Sequence, residues 1–233
     1  FFVLSHALSF QNYNFENYNN GLFNFGNGSS NSFSYSFGLS RSSQGPSRIF
    51  PLTGSNFEMS IRVTPPFSAF SKKDYASLRA EINSVTEELL AEGINGVNSA
   101  ELSRDLEALE EERFKLLEFY KVKFKGDWYT RIVDKLVLRT NAEFGFLGAY
   151  NNDIGIVPFE RFYVGGDGLG NFTLDGRENI QLRGYENSSI TPYTLNPITG
   201  RQEQDGGAIY NKFSLELRYP LTLKPTASVF TLA

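Results

Sequence analysis

The sequence predicts an all-β fold: a transmembrane antiparallel β-barrel, about seven of whose central strands are present, with a helical hairpin inserted in one extracellular loop. Three observations carry that reading. Apolar and polar residues alternate with period two in segment after segment. The connections between those segments are by turns long and short. One acidic stretch breaks the pattern with leucines at helical spacing.

Period-two alternation places successive side chains on opposite faces of a strand. A weak strand is expected near Phe2–Phe10. Over Ser32–Ser40, Phe33, Tyr35, Phe37 and Leu39 alternate with serines and Gly38. Phe57, Met59, Ile61 and Val63 alternate with Glu58, Ser60, Arg62 and Thr64. Tyr120, Val122, Phe124 and Trp128 alternate with Lys121, Lys123, Lys125 and Asp127. Leu136, Leu138, Ala142, Phe144 and Phe146 then alternate with Arg139, Asn141 and Glu143. In the last clear strand Phe213, Leu215, Leu217 and Tyr219 alternate with Lys212, Ser214, Glu216 and Arg218. A further weak strand is expected from Ala227 onward. Composition agrees: aromatic residues make up 15% of the chain, with 22 Phe and 12 Tyr, which favours strands.

A soluble sandwich alternates in the same way, so the strands alone do not separate the two architectures. The connections do. Residues 11–30, 68–118 and 151–207 read as long, and 43–53, 130–135 and 221–225 as short. In an antiparallel sheet the long ones leave at one end and the short ones at the other. Outer-membrane barrels have that asymmetry, with long extracellular loops and short periplasmic turns. No apolar run is long enough for a transmembrane helix, so a membrane crossing rests on strands. The chain has no initiating Met or leader and stops at Ser228–Ala233 in what reads as a strand cut short. It is expected to be a segment of a longer protein, with residues 1–233 all within one barrel domain.

Residues 72–118 hold 12 acidic and 6 basic side chains, a net of −6. Leu78, Ile82, Val85 and Leu89 follow helical spacing, as do Leu102, Leu106, Leu109, Leu116 and Leu117. Gly93 to Asn98 separates the two runs, and Asn98 with Glu101 has the form of a capping pair. An antiparallel helical hairpin in an extracellular loop is expected here.

Chemistry is sparse. One His and no Cys leave no basis for His-based triads, cysteine nucleophiles, thiolate metal sites or disulfides. His6 is in phase with Phe2, Leu4, Leu8 and Phe10 and reads as structural. The run Gly165 to Gly170 lacks the Lys-Ser/Thr and the helix of a phosphate loop, and reads as a glycine-rich turn. Lys121, Lys123 and Lys125 share a face, but the chain is acidic overall and has no nucleic-acid signature. The chain is expected to be no enzyme, to carry no cofactor or metal and to bind no nucleic acid.

Residues 158–219 are the most informative. Pro158-Phe159-Glu160-Arg161-Phe162-Tyr163-Val164-Gly165-Gly166 leads into the long loop 151–207, and Leu182-Arg183-Gly184-Tyr185 sits deep within it. Asp205-Gly206-Gly207 leads out to the strand with Ser214-Leu215-Glu216-Leu217-Arg218-Tyr219-Pro220. This order resembles the BamA/TamA superfamily of outer-membrane insertases, nearest to its BamA-type branch. Phe50 to Ser55 likewise resembles one of that family's periplasmic turns. The resemblance spans roughly residues 30–233 without the helical insert. It departs at Leu182, where the family commonly has Val, and at Ala208, where Asn is frequent.

The resemblance implies a barrel of roughly sixteen strands with periplasmic domains upstream. It implies a bacterial outer-membrane location, and the work of folding and inserting other β-barrel proteins there. Partners would be unfolded barrel clients, accessory outer-membrane lipoproteins, membrane lipids and lipopolysaccharide. It also implies that the loop folds back into the barrel and that its Arg183 pairs with an acid on the inner wall. Glu216, on the polar phase of its strand, is the expected partner. A protein-translocating member of the same superfamily and a passive outer-membrane channel are the alternative functions.

Overall fold

The computed structural model describes residues 1–20, 23–93, 96–166, 178–187, 189–196, 202–221 and 228–232. Its elements, in chain order, begin with β1 (Phe2–Asn20), β2 (Phe23–Ser42) and β3 (Gly54–Val63). The helices α1 (Phe67–Phe70), α2 (Tyr75–Glu92) and α3 (Ser99–Phe114) follow, then β4 (Tyr120–Val133) and β5 (Leu136–Gly148). Four three-residue strands, β6 (Phe162–Val164), β7 (Glu178–Ile180), β8 (Tyr193–Leu195) and β9 (Gln202–Gln204), precede β10 (Ile209–Pro220) and β11 (Ser228–Leu232).

One open antiparallel sheet of seven strands runs β1-β2-β3-β4-β5-β10-β11. Its faces are inverted relative to a water-soluble sheet. On β10 the apolar phase is exposed, with Phe213 75% accessible, while Glu216 and Tyr210 on the polar phase are buried. Leu4, Leu8, Phe10, Phe33 and Tyr35 are exposed on β1 and β2, whereas Ser30, Ser32 and Ser34 are buried. The buried phase is covered by the chain's own long connections. Among the described residues no helix is long and apolar enough to cross a membrane.

The register places Val63, Tyr120, Gly148 and Ile209 at one end of the sheet. The connections 64–119 and 149–208 therefore leave from that end. The turns after Ser42, Val133 and Pro220 lie at the other. Asp134 closes the β4–β5 turn at φ 46°, a left-handed conformation that Asp tolerates better than most residues.

Of residues 11–30, expected as a loop, 11–20 and 23–30 are strand. β1 and β2 continue past the sheet as a two-stranded ribbon whose register runs from Phe2↔Arg41 to Asn20↔Phe23. β3 stops pairing at Tyr35. Beyond that point the ribbon leaves the alternation that betrayed the other strands, because many of its positions are Asn, Gly and Ser. At Asn31 its free edge is closed by the segment after α3. The Asn31 amide donates to the Lys115 carbonyl and the Leu117 amide to the Asn31 carbonyl, both at 2.9 Å.

The helices also differ from expectation in detail. The α2 cap is Asp74, whose carboxylate accepts from the amides of Ala76 and Ser77. Asn98 makes no side-chain cap. Its ψ of 0° is far from the extended backbone a capping side chain needs. Leu78, Ile82 and Leu89 are buried, but α3 ends at Phe114. Leu117 lies beyond it and is fully buried in a different cluster.

That cluster is the core. Phe114, Leu117, Phe119, Leu147, Ile154, Val157, Phe159, Phe162, Ile180 and Tyr210 pack together, with Tyr13 and Phe15 of the ribbon against them. It sits on the polar face, at the end where the long connections leave. Burying such side chains is worth about 1.5–3 kcal/mol each, so the loops are packed structure here.

Candidate functional site: a loop docked on the buried face of the sheet

The loop between β5 and β10 is closed at its neck by backbone pairing. The Phe162 amide donates to the Gly207 carbonyl at 2.9 Å and the Gly207 amide to the Phe162 carbonyl at 2.8 Å. Arg161 and Asp205 form an ion pair across the same neck. Gly206 faces the Tyr163 ring so closely that a Cβ would stand 2.8 Å from it. The Phe-rich and Asp-Gly-Gly motifs, more than forty residues apart in sequence, meet here.

Below the neck, acids of the loop meet bases of the wall. Pro158 begins a short 3-10 turn that carries Glu160. Its carboxylate pairs with Arg62 of β3 and lies 3.1 Å from Lys121 Nζ of β4. Lys121 is only 4% accessible. It also donates to the Glu160 carbonyl at 2.8 Å, lies 4.6 Å from the Phe162 ring centroid, and pairs with Glu178 of β7 at 2.6 Å. Lys123 Nζ stands 2.9 Å from the other Glu178 oxygen. Burial alone would raise the Glu178 pKa, yet the two lysines together hold it below the ordinary carboxylate value. A buried charge pair of this kind stabilises only when all its members are present.

The tip of the loop is a clamp between two glycine-containing motifs. The Tyr185 amide donates to the Leu182 carbonyl at 3.2 Å, closing a turn in which Gly184 has φ 89°. That position requires a residue free to enter the left-handed region. The turn is held from both sides of Gly166. The Gly166 amide donates to the Tyr185 carbonyl, and the Leu182 amide to the Gly166 carbonyl, each at 3.0 Å. Gly165 adds a bond to the Ile180 carbonyl. The turn Leu182, Arg183, Gly184, Tyr185 is thus bound to Gly166 through its first and last residues, with Gly165 fastened to Ile180 just before it. The rest of the glycine-rich run, 167–170, lies outside the described residues.

Deeper on the wall lies a second charged cluster. The Arg139 guanidinium bridges Asp127 at 2.8 Å and Glu216 at 3.0 Å. Asn141 donates to Asp127 at 3.2 Å, and Arg218 lies 3.1 Å from the other Glu216 oxygen. Between this cluster and the clamp is a cavity of about 840 Å3 lined by Lys125, Glu143, Arg183, Lys212 and Glu216 among others. Arg183 and Glu216 therefore face one space. The Glu216 carboxylate is engaged by Arg139 and Arg218. Lys212 reaches both Glu143 and the Gln181 carbonyl, each at 2.9 Å.

Sequence reasoning noted Lys121 only as one of three lysines on a shared face and Glu160 only within the Pro158–Gly166 motif, and it did not single out Arg62, Asp127, Arg139 or Glu178 as site residues. A partial signal existed: the wall residues of this set fall on polar strand phases. Nothing local says which loop acid each will meet. Among the described residues, no group of three or more His, Asp or Glu side chains is placed to hold a metal ion. What the arrangement does chemically is hold a loop, by ion pairs at its sides and backbone hydrogen bonds at its tip.

The family described as the Omp85 superfamily domain matches residues 4–233, nearly the whole chain. The chain belongs to that superfamily, whose proteins are outer-membrane proteins. The comparison with curated proteins returned no match.

Proposed function

From membership of the Omp85 superfamily we propose that this chain is the central part of an integral outer-membrane β-barrel of the BamA type, which folds and inserts other β-barrel proteins. Membership itself suggests outer-membrane protein insertion or translocation. The inverted sheet supports a spanning barrel: Leu4, Leu8, Phe213 and Leu215 would face lipid, and Lys121, Arg139 and Glu216 the interior. The end with the long connections would be extracellular, which puts the acidic helices outside the cell.

The observation that carries the reading furthest is the docked loop. A passive channel keeps its interior wet and open. Here the loop occupies the inner wall and is fastened by Glu160, Glu178 and the clamp at Gly166. The chain would work without enzymatic chemistry or a cofactor. Its part is to keep the barrel rigid away from the edges where client strands add by backbone pairing. Unfolded barrel proteins, accessory lipoproteins and lipopolysaccharide would be its partners.

The test is depletion of the full-length protein followed by quantitative outer-membrane proteomics. Broad loss of unrelated barrel proteins, with unfolded clients in the periplasm, is expected. Loss confined to one exported protein would replace the reading with translocation, and loss of solute uptake alone would replace it with a channel.

A further inference from the structure

The acidic helices have no role in the reading above, yet they are joined to the docked loop at one well-built place. Arg113, in the last turn of α3, points its guanidinium at the chain just after β5. Its Nε donates to the Ile154 carbonyl at 2.7 Å. Glu110 lies 3.3 Å from Nη1, and the Phe114 ring packs beneath the guanidinium at 5.0 Å. On the other side, Gly155 has φ 76°, and a Cβ added there would approach Arg113 Nη2 to 3.1 Å. Ile154 and Val157 are buried in the same cluster as Phe114 and Leu117. Arg79 of α2 adds an exposed contact to Asp153 at 3.4 Å.

α3 is itself anchored on the sheet. Ser30 donates its hydroxyl to the Phe114 carbonyl, and Glu111 accepts from the Ser29 amide at 3.0 Å. The chain therefore runs from a fixed helix, through Arg113, to Ile154, and five residues later to Phe159 and Glu160 on the inner wall.

We propose that α2 and α3 are a brace for the loop and that Arg113 is its positioning residue. By holding the Ile154 carbonyl, Arg113 sets where Glu160 meets Arg62 and Lys121, and through the neck where the Leu182–Tyr185 turn meets Gly166. The brace requires that the loop dock as described. It does not require that the protein insert clients, so its test reads docking and not activity.

The experiment is hydrogen–deuterium exchange of the full-length protein in detergent, comparing wild type with Arg113→Ala, Arg113→Lys and Gly155→Ala. Exchange over Phe162–Val164 and Glu178–Leu182 should rise about tenfold or more in Arg113→Ala, the scale of one lost charge-assisted hydrogen bond. The β4–β5 ladder should be unchanged. Arg113→Lys keeps a cationic donor and should fall between the two, and Gly155→Ala should reproduce the Arg113→Ala pattern. Unchanged exchange in the loop would overturn the proposal. So would loosening shared equally by β4 and β5, which would make Arg113 a general stability residue.

Discussion

At the residue scale the docked loop depends on a few positions with no tolerance. Gly166 has φ 92°, and a Cβ there would stand 1.9 Å from Asn187 Oδ1 and 3.3 Å from its Cα. Gly166→Ala should weaken the clamp by about 1–3 kcal/mol, seen as faster proteolysis between residues 178 and 196 with the sheet still folded. Intact protection would show the clamp to be dispensable. Lys121 is the hub of the wall network, so Lys121→Met should leave Glu160 with Arg62 alone and Glu178 with Lys123 alone, at a cost of about 1–3 kcal/mol. Adding Glu160→Gln should recover part of that loss, because the two changes share one interaction. Strict additivity in thermal unfolding would refute the coupling. The pairing expected between Arg183 and Glu216 makes a similar demand. Because Arg139 and Arg218 already hold the Glu216 carboxylate, the double change Arg183→Ala with Glu216→Ala should cost less in thermal unfolding than the two single changes added together, and strict additivity would refute the pair.

At the scale of elements, loop docking should depend on pH through Glu178. Its pKa is lowered in the folded protein. Its contribution is therefore complete above the ordinary carboxylate value and is lost as pH falls through the lowered one. Protection of the Gly165 and Leu182 amides, measured against intrinsic exchange, should hold from neutral pH to the ordinary carboxylate range and fail below it. Lys123→Ala removes one of the two lysines and should shift the failure to higher pH. An identical profile in the variant would mean that another group controls docking. The elements also show what was legible. β3, β4, β5 and β10 were readable because one phase is apolar and the other polar. The outer half of the β1–β2 ribbon was not, since Asn, Gly and Ser at many of its positions leave no such contrast. The Leu182–Tyr185 motif was readable as a motif, but its attachment to Gly166 depends on backbone bonds between segments sixteen residues apart.

For the whole molecule the test is which face meets lipid. Leu215 lies mid-strand on the exposed phase of β10, and Ser214 beside it points inward. In a bilayer, Leu215→Arg should destabilise the barrel by about 2–4 kcal/mol. Ser214→Gln should change stability little. Urea unfolding of the full-length protein in lipid vesicles measures both, and equal effects would undo the assignment of faces. This was also the scale at which the sequence was most informative. The long connections 68–118 and 151–207 were legible from the positions of the alternating segments alone, whereas the third one read as long, 11–30, is the β1–β2 ribbon over its described residues. Which wall charges would meet which loop charges needed the folded loop, because Glu160 and Glu178 reach the same lysine from different segments.

The neck has a kinetic consequence. β4 and β5 are joined by a two-residue turn, whereas β5 and β10 pair only after the whole of 149–208 has been closed into a ring. Closing a ring of that length costs more chain entropy than a hairpin, although the cost grows only logarithmically. Contacts far apart in sequence form late. The bonds between Phe162 and Gly207 prolong that late pairing into the loop, so docking is expected to follow the alignment of β10 and not to precede it. A barrel whose β10 had slipped by one residue would turn Glu216 outward and move Gly207 away from Phe162. The loop would then have no neck to close, and a misaligned sheet would be left without its most heavily packed region.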